Sequence, residues 1–149
     1  MKPVPDAVLV PGDPLAHRAL ESLLRAEAKV RRRLSADLER EGLSATGFSV
    51  LVVLTTAGGE LELRTLRTRL RTSKANATEV VSTLEGRGLV IRRRLPRDRR
   101  AAAVLLTPSG REIVDRLFPE HTDRVSAAFS VLDEHEKRSL AEICRKLAA

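Results

Sequence analysis

The nine residues RRRLPRDRR, Arg92 to Arg100, hold six arginines, one aspartate and one proline. A guanidinium is planar, permanently charged and carries five N–H donors in a fork that matches phosphate oxygens. Such a cluster does binding chemistry on a polyanion. The next six residues, AAAVLL, carry no charge at all. The positive charge therefore sits on a short loop that leads back into something that reads as a strand. It is also concentrated in one part of the chain. Residues 61–111 contain 13 Lys or Arg against 4 Asp or Glu, a net of +9. The remainder contains 14 against 16, a net of −2, and the whole chain is +7 with a pI near 10.6. A basic segment of this kind points to nucleic acid or another anionic surface. Aromatic residues are limited to Phe48, Phe118 and Phe129. Single-stranded nucleic acid is usually held by stacking on aromatic rings, so duplex is the better match.

Other chemistries find less support. There is no glycine-rich phosphate loop, nucleophile elbow or zinc-hydrolase motif, so the chain is not read as an enzyme. Carboxylates such as Glu134 and Glu136 fit a solvated helix face. His17, His121 and His135 with Glu21, Glu120 or Asp123 lack metal-ligand spacing, and no metal or cofactor is assigned. Cys144 lies beside Ile143 and Leu147 on an apolar face, which favours packing over a reactive thiol. A single cysteine without a secretory signal points to a reducing, cytoplasmic setting, and no apolar run approaches a membrane span.

The elements that must position the arginines follow from periodicity and caps. Residues 15–41 place Leu20, Leu23, Leu24, Val30, Leu34 and Leu38 on one helical face, closed by Gly42. Residues 1–14, with four prolines, read as a flexible arm. Ser44 caps a second helix with Phe48, Leu51, Val52 and Leu54 inward, ended by Gly58 and Gly59. Leu63, Leu66 and Leu70 mark a short helix. Arg71 and Thr72 form a tight connection, and Ser73 caps a further helix running to about Arg87. Its inward face is Ala77, Val80, Val81 and Leu84. Two short helices with such a turn form a helix-turn-helix. LVIRRR then reads as a strand, AAAVLLT as its partner and LPRDRR as the loop between. Thr107 caps a helix with Pro108 at its first position. Pro119 is expected to break or kink it. Apolar positions resume at Val125, Ala128, Phe129 and Leu132. Asp133 and Glu136 form a capping box for a last helix with Leu140, Ile143, Cys144 and Leu147.

The predicted fold is therefore mainly α with a small β-hairpin: a winged helix-turn-helix. The capped helix presents Lys74, Asn76, Thr78, Glu79 and Ser82 away from the core, suited to base edges in the major groove. The hairpin is the wing, and Arg94, Arg97, Arg99 and Arg100 are suited to a narrow minor groove. Asp98 cannot contact phosphate favourably. It is expected to pair with Arg92 or Arg94 at the base of the wing and hold the loop.

LSATGFSVLVVL, LRTLRTRLRTSKANATEVVSTLEGRGLVIRR and DRRAAAVLLTPSGRE, in that order and spacing, resemble a MarR-type transcriptional regulator over roughly Leu43 to Glu112. The resemblance implies a homodimer that binds a pseudo-palindromic operator, as a repressor in this reading, often released by a small aromatic or anionic effector. It implies that Ser73 is cap and phosphate contact, that Lys74, Ala75, Asn76 and Glu79 face bases, and that Arg100 is the principal wing arginine with Asp98 as its structural partner. Arg71 departs from a glycine common in relatives. In this organisation residues 15–149 form one domain. Residues 43–107 are the DNA-binding region, and 15–42 with 108–149 are dimerisation helices. The apolar stripes of those helices, with Leu20, Leu24, Phe129, Leu132, Leu140, Ile143 and Leu147, exceed what a small winged helix covers by itself. The rival reading is an architectural protein that binds DNA through charge and shape without an operator.

Overall fold

A computed structural model describes residues 12–149. The arm expected over residues 1–14 lies, up to residue 11, outside the described residues. Helix α1 already begins at Pro14 and runs to Arg40. Asp13 caps it: its Oδ1 accepts from the backbone N–H groups of Leu15 (3.0 Å) and Ala16 (3.1 Å). Gly42, at φ 68°, ends the helix as only glycine does without strain, and the Leu43 N–H returns to the Leu38 carbonyl at 2.8 Å.

The chain divides into two compact units, the first ending at Arg33 and the second spanning Leu34–Ala149. In the first, the helix exposes Leu15, Leu20, Leu23 and Leu24.

The second unit holds the end of α1 followed by α2 (Ala45–Thr56), β1 (Glu60–Glu62), α3 (Leu63–Leu70), α4 (Lys74–Gly86), β2 (Val90–Leu95), β3 (Asp98–Leu106), α5 (Pro108–Ala128) and α6 (Glu134–Leu147). The three strands form one antiparallel sheet in the order β1-β3-β2. Strand β1 was not expected, because three residues are too short for a periodic signal. It exists because Glu60, Leu61 and Glu62 pair with Leu105, Val104 and Ala103. The core joins Leu38 and Leu43 to Phe48, Val50, Leu51 and Leu54 of α2, Leu66 of α3, Val81 and Leu84 of α4, Val90 and Val104 of the sheet, and Val114 and Leu117 of α5. Each large side chain among them contributes about 1.5–3 kcal/mol through burial. Val52, expected inside, is only partly buried.

Four caps read from the sequence are present as hydrogen bonds, that of Ser73 on α4 among them. Ser44 accepts from Gly47, Thr107 from Gly110, and Asp133 with Glu136 forms a reciprocal box. Pro119 does not break α5, which is continuous across it. A proline removes one i→i−4 bond. Here that orphans the carbonyl of Asp115, and both residues face solvent, where water can satisfy it. His121, two residues on, packs edge-on against Phe48 with ring centroids 5.0 Å apart. Burial holds its pKa below the ordinary histidine range, favouring the neutral ring. Among the described residues no helix is long and apolar enough to cross a membrane.

Candidate nucleic-acid interface

Helix α4 begins where Ser73, in extended conformation, accepts the Asn76 N–H on its Oγ at 3.1 Å. Its buried face is Ala77, Val81 and Leu84, with Val80 partly buried. That packing leaves Lys74, Ala75, Asn76, Glu79 and Ser82 exposed on the other side, with Thr78 half-buried. The Asn76 amide is oriented by donating from Nδ2 to Thr72 Oγ1 at 2.7 Å, which leaves its carbonyl oxygen outward-capable. Thr78 turns its hydroxyl back to the Lys74 carbonyl at 2.8 Å, so it offers mainly its methyl group. The turn before α4 places Arg71 in the left-handed region, at φ 50° and ψ 43°.

The hairpin is tighter than the sequence suggested. Strand β2 reaches Leu95 and β3 starts at Asp98, so only Pro96 and Arg97 form the turn. Asp98, Arg99 and Arg100 therefore lie on a strand and not in a loop. The ladder runs from Arg94 opposite Ala102 directly to Leu95 opposite Asp98, which leaves Arg99, Arg100 and Ala101 in an irregularity. Asp98 spans it by accepting the Arg100 backbone N–H on Oδ1 at 2.9 Å. It does not pair with Arg92 or Arg94. The register explains this: Arg92 lies opposite Val104, far from the tip. Arg92 is held instead by Glu85. Its backbone N–H donates to Glu85 Oε2 at 2.7 Å, and its guanidinium reaches Glu85 Oε1 at 3.6 Å and Ser82 Oγ at 3.3 Å. Ser82 thus joins helix to wing. Arg93, opposite Ala103 of the central strand, reaches diagonally across the sheet to Glu60, opposite Leu105, at 2.8 Å.

A cleft of about 640 Å³ opens between α3, the start of α4 and the wing. Arg64, Arg67, Lys74, Arg97 and Arg100 line it, against the carboxylates of Glu62 and Asp98. Arginines from the wing and the lysine that opens α4 therefore share one concave, positively charged surface. Arg94 and Arg99 are exposed on the same hairpin but do not line this cleft. Asn76 and Glu79 line a smaller groove of about 270 Å³ on the flank of α4 toward Ser44, with Arg87. Arg64, Arg67, Glu85 and Arg87 were not singled out from the sequence. The two α3 arginines carried a signal in their three-residue spacing, but the tertiary pairings of Glu85 and Arg87 carried none.

Beyond this surface, Leu140, Ile143 and Leu147 of α6 are 38%, 63% and 70% exposed, and Phe129 and Leu132 are half-buried. Helix α6 buries no residue in the single chain. Val131 at 83% and Phe118 at 41% extend the exposed apolar set beyond the expected residues. Cys144 is a half-buried free thiol. Among the described residues no three His, Cys, Asp or Glu side chains gather as a metal site.

Comparison with known proteins agrees with this geometry. The sequence model of the MarR family matches residues 43–102. The uncharacterized HTH-type transcriptional regulator YkoM of Bacillus subtilis is 33% identical over 122 residues, covering 82% of this chain and 79% of its own. The crystal structure of Sco3205, a MarR family transcriptional regulator from Streptomyces coelicolor in complex with DNA, superposes with a TM-score of 0.85. It is 26% identical and covers 96% of this chain and 91% of its own. BpsR of Bordetella bronchiseptica, whose DNA binding is regulated by 6-hydroxynicotinic acid, matches with a TM-score of 0.77. It is also 26% identical and covers 86% and 91% of the two chains.

Proposed function

The chain belongs to the MarR family of transcriptional regulators, and from that premise we propose that it is a homodimeric repressor that binds a pseudo-palindromic operator in double-stranded DNA. The observation that carries this reading is the cleft in which Lys74 of α4 and Arg97 and Arg100 of the wing converge. Helix α4 enters the major groove with Ser73 on phosphate and Lys74, Ala75, Asn76, Thr78 and Glu79 toward base edges. Ala75 and the Thr78 methyl suit a thymine methyl group, and Asn76 suits adenine. The wing lays Arg94, Arg97, Arg99 and Arg100 along the adjacent minor groove, with Asp98 shaping the backbone of Arg100. Arg92 and Ser82 serve the wing's attachment to α4.

Two subunits place their α4 helices in successive major grooves, about 34 Å apart. The exposed leucines of α1 and of α6, with Ile143, support burial against a second copy. An effector that favours one spacing of the two helices shifts the population of DNA-competent dimers. The regulation of BpsR by an aromatic acid supports a small anionic or aromatic ligand for this chain too. Such a dimer acts in the cytoplasm, at DNA.

Selection of bound duplexes from a random pool tests the reading, followed by anisotropy titrations at several salt concentrations. Paired, inverted half-sites are expected, with at least about 10³-fold preference over unrelated duplex. Arg100→Ala weakens binding to all sequences and lowers the salt slope by about 1, whereas Asn76→Ala costs about 1–3 kcal/mol at the selected site alone. Equal affinity for every duplex would instead establish the architectural binder.

A further inference from the structure

Arg87 ends α4, and its side chain leaves the helix for another element. Nη1 donates to the Gly42 carbonyl at 2.9 Å and Nη2 to the Glu41 carbonyl at 2.8 Å. These two carbonyls belong to the turn that closes α1, and the positive φ of Gly42 helps present them side by side. A planar fork suits two adjacent acceptors, which a single ammonium does not. The same turn is tied to α5. The Glu41 carboxylate takes both terminal nitrogens of Arg116, at 2.6 Å and 3.0 Å. One turn earlier in α1, Asp37 pairs with Arg124 of α5, which also reaches Glu120 at 3.5 Å.

We propose that Arg87 is a positioning residue for DNA recognition, setting the pose of α4 against α5 through the α1–α2 turn. Each terminal nitrogen of the fork is engaged with a carbonyl, and the role proposed for Arg87 is to hold α4 rather than to contact DNA. Its leverage comes from length. The 13 residues of α4 span about 20 Å, so a 10° tilt at the Arg87 end moves the Lys74 end by about 3 Å. A displacement of that size exceeds what a hydrogen bond to a base edge tolerates. In the dimer, α5 belongs to the shared module, so this pose also sets the distance between the two half-sites read. The inference rests on the operator-binding dimer proposed above.

The test uses full-length wild type, Arg87→Ala and Arg87→Lys, with the duplex selected by the wild type. It also uses the same half-sites with one base pair added or removed between them. Arg87→Ala is expected to bind the selected duplex about 10-fold to 100-fold more weakly, the equivalent of one lost bidentate base contact. Its salt slope is expected to stay that of the wild type, and its preference among spacings to flatten. Arg87→Lys retains the charge but not the planar fork that spans two adjacent carbonyls, and is expected to fall between. Unchanged affinity and spacing preference in Arg87→Ala, or a salt slope reduced as in Arg100→Ala, would overturn the proposal. So would a spacing preference that survives intact in both variants while affinity drops. A wild type that selects no paired half-sites sinks the operator reading and this proposal with it, whereas paired half-sites bound alike by all three proteins sink the proposal alone.

Discussion

Arg71 bears the one positive φ among the described non-glycine residues, at 50°. A side chain in the left-handed region crowds its own backbone, at a cost of about 1–2 kcal/mol. Glycine relieves that crowding but adds freedom to the unfolded chain. Arg71→Gly is therefore expected to raise unfolding stability by about 0.5–1 kcal/mol, read from the midpoint of urea denaturation at unchanged slope. A destabilised variant would show that the Arg71 side chain supports the turn. The caps at Ser44, Ser73, Thr107 and Asp133 were legible from residue type and spacing, because a cap is a local bond across three residues. The partners of Asp98 and Arg92 were not legible. Asp98 chose a backbone amide two residues on, and Arg92 chose a glutamate seven residues back. Many carboxylates were within reach on paper, and register alone selected between them.

At the scale of elements, the junction between the wing and α5 is crowded. Thr107 donates from Oγ1 to the Gly88 carbonyl at 2.7 Å and accepts the Gly110 N–H at 3.1 Å. Gly110 faces the backbone: a Cβ there would lie 2.2 Å from the Leu89 carbonyl oxygen and 2.8 Å from Leu106 Cδ1. Backbone cannot swing aside as a flexible side chain can. Gly110→Ala is thus expected to destabilise the fold by about 1–3 kcal/mol. Thermal unfolding followed by circular dichroism checks this, and an unchanged midpoint would mean that α5 docks less closely than described. The helix-turn-helix and hairpin were readable because their apolar spacing and glycines are periodic signals. The length of β3 was hidden, since Asp98, Arg99 and Arg100 are polar residues in sequence and carry no alternating strand signal. β1 was invisible because three residues are too few for a periodic signal.

For the whole molecule, the exposed apolar side chains of α1 and α6 are the feature that a single chain leaves open. Ile143, 63% exposed, stands in the middle of the α6 stripe. Ile143→Asp would place a charge where the proposed dimer buries an apolar side chain, and burying an unpaired carboxylate is strongly unfavourable. The variant is expected to sediment as a monomer where the wild type sediments as a dimer, and to lose the selected duplex. A wild-type monomer, or a variant that still dimerises, would place the contact elsewhere. By itself the sequence determined which helices form, where four of them are capped, and that a basic hairpin follows a polar-faced helix. These depend on neighbours within a few residues and on periodic burial. Only the tertiary structure decided that Lys74, Arg97 and Arg100 share a cleft, that Arg92 leans on Glu85, and that Arg87 grips the end of α1. Those contacts join residues up to 46 positions apart. The folded core brings such residues together, and no local pattern encodes which distant carbonyl or carboxylate will be waiting.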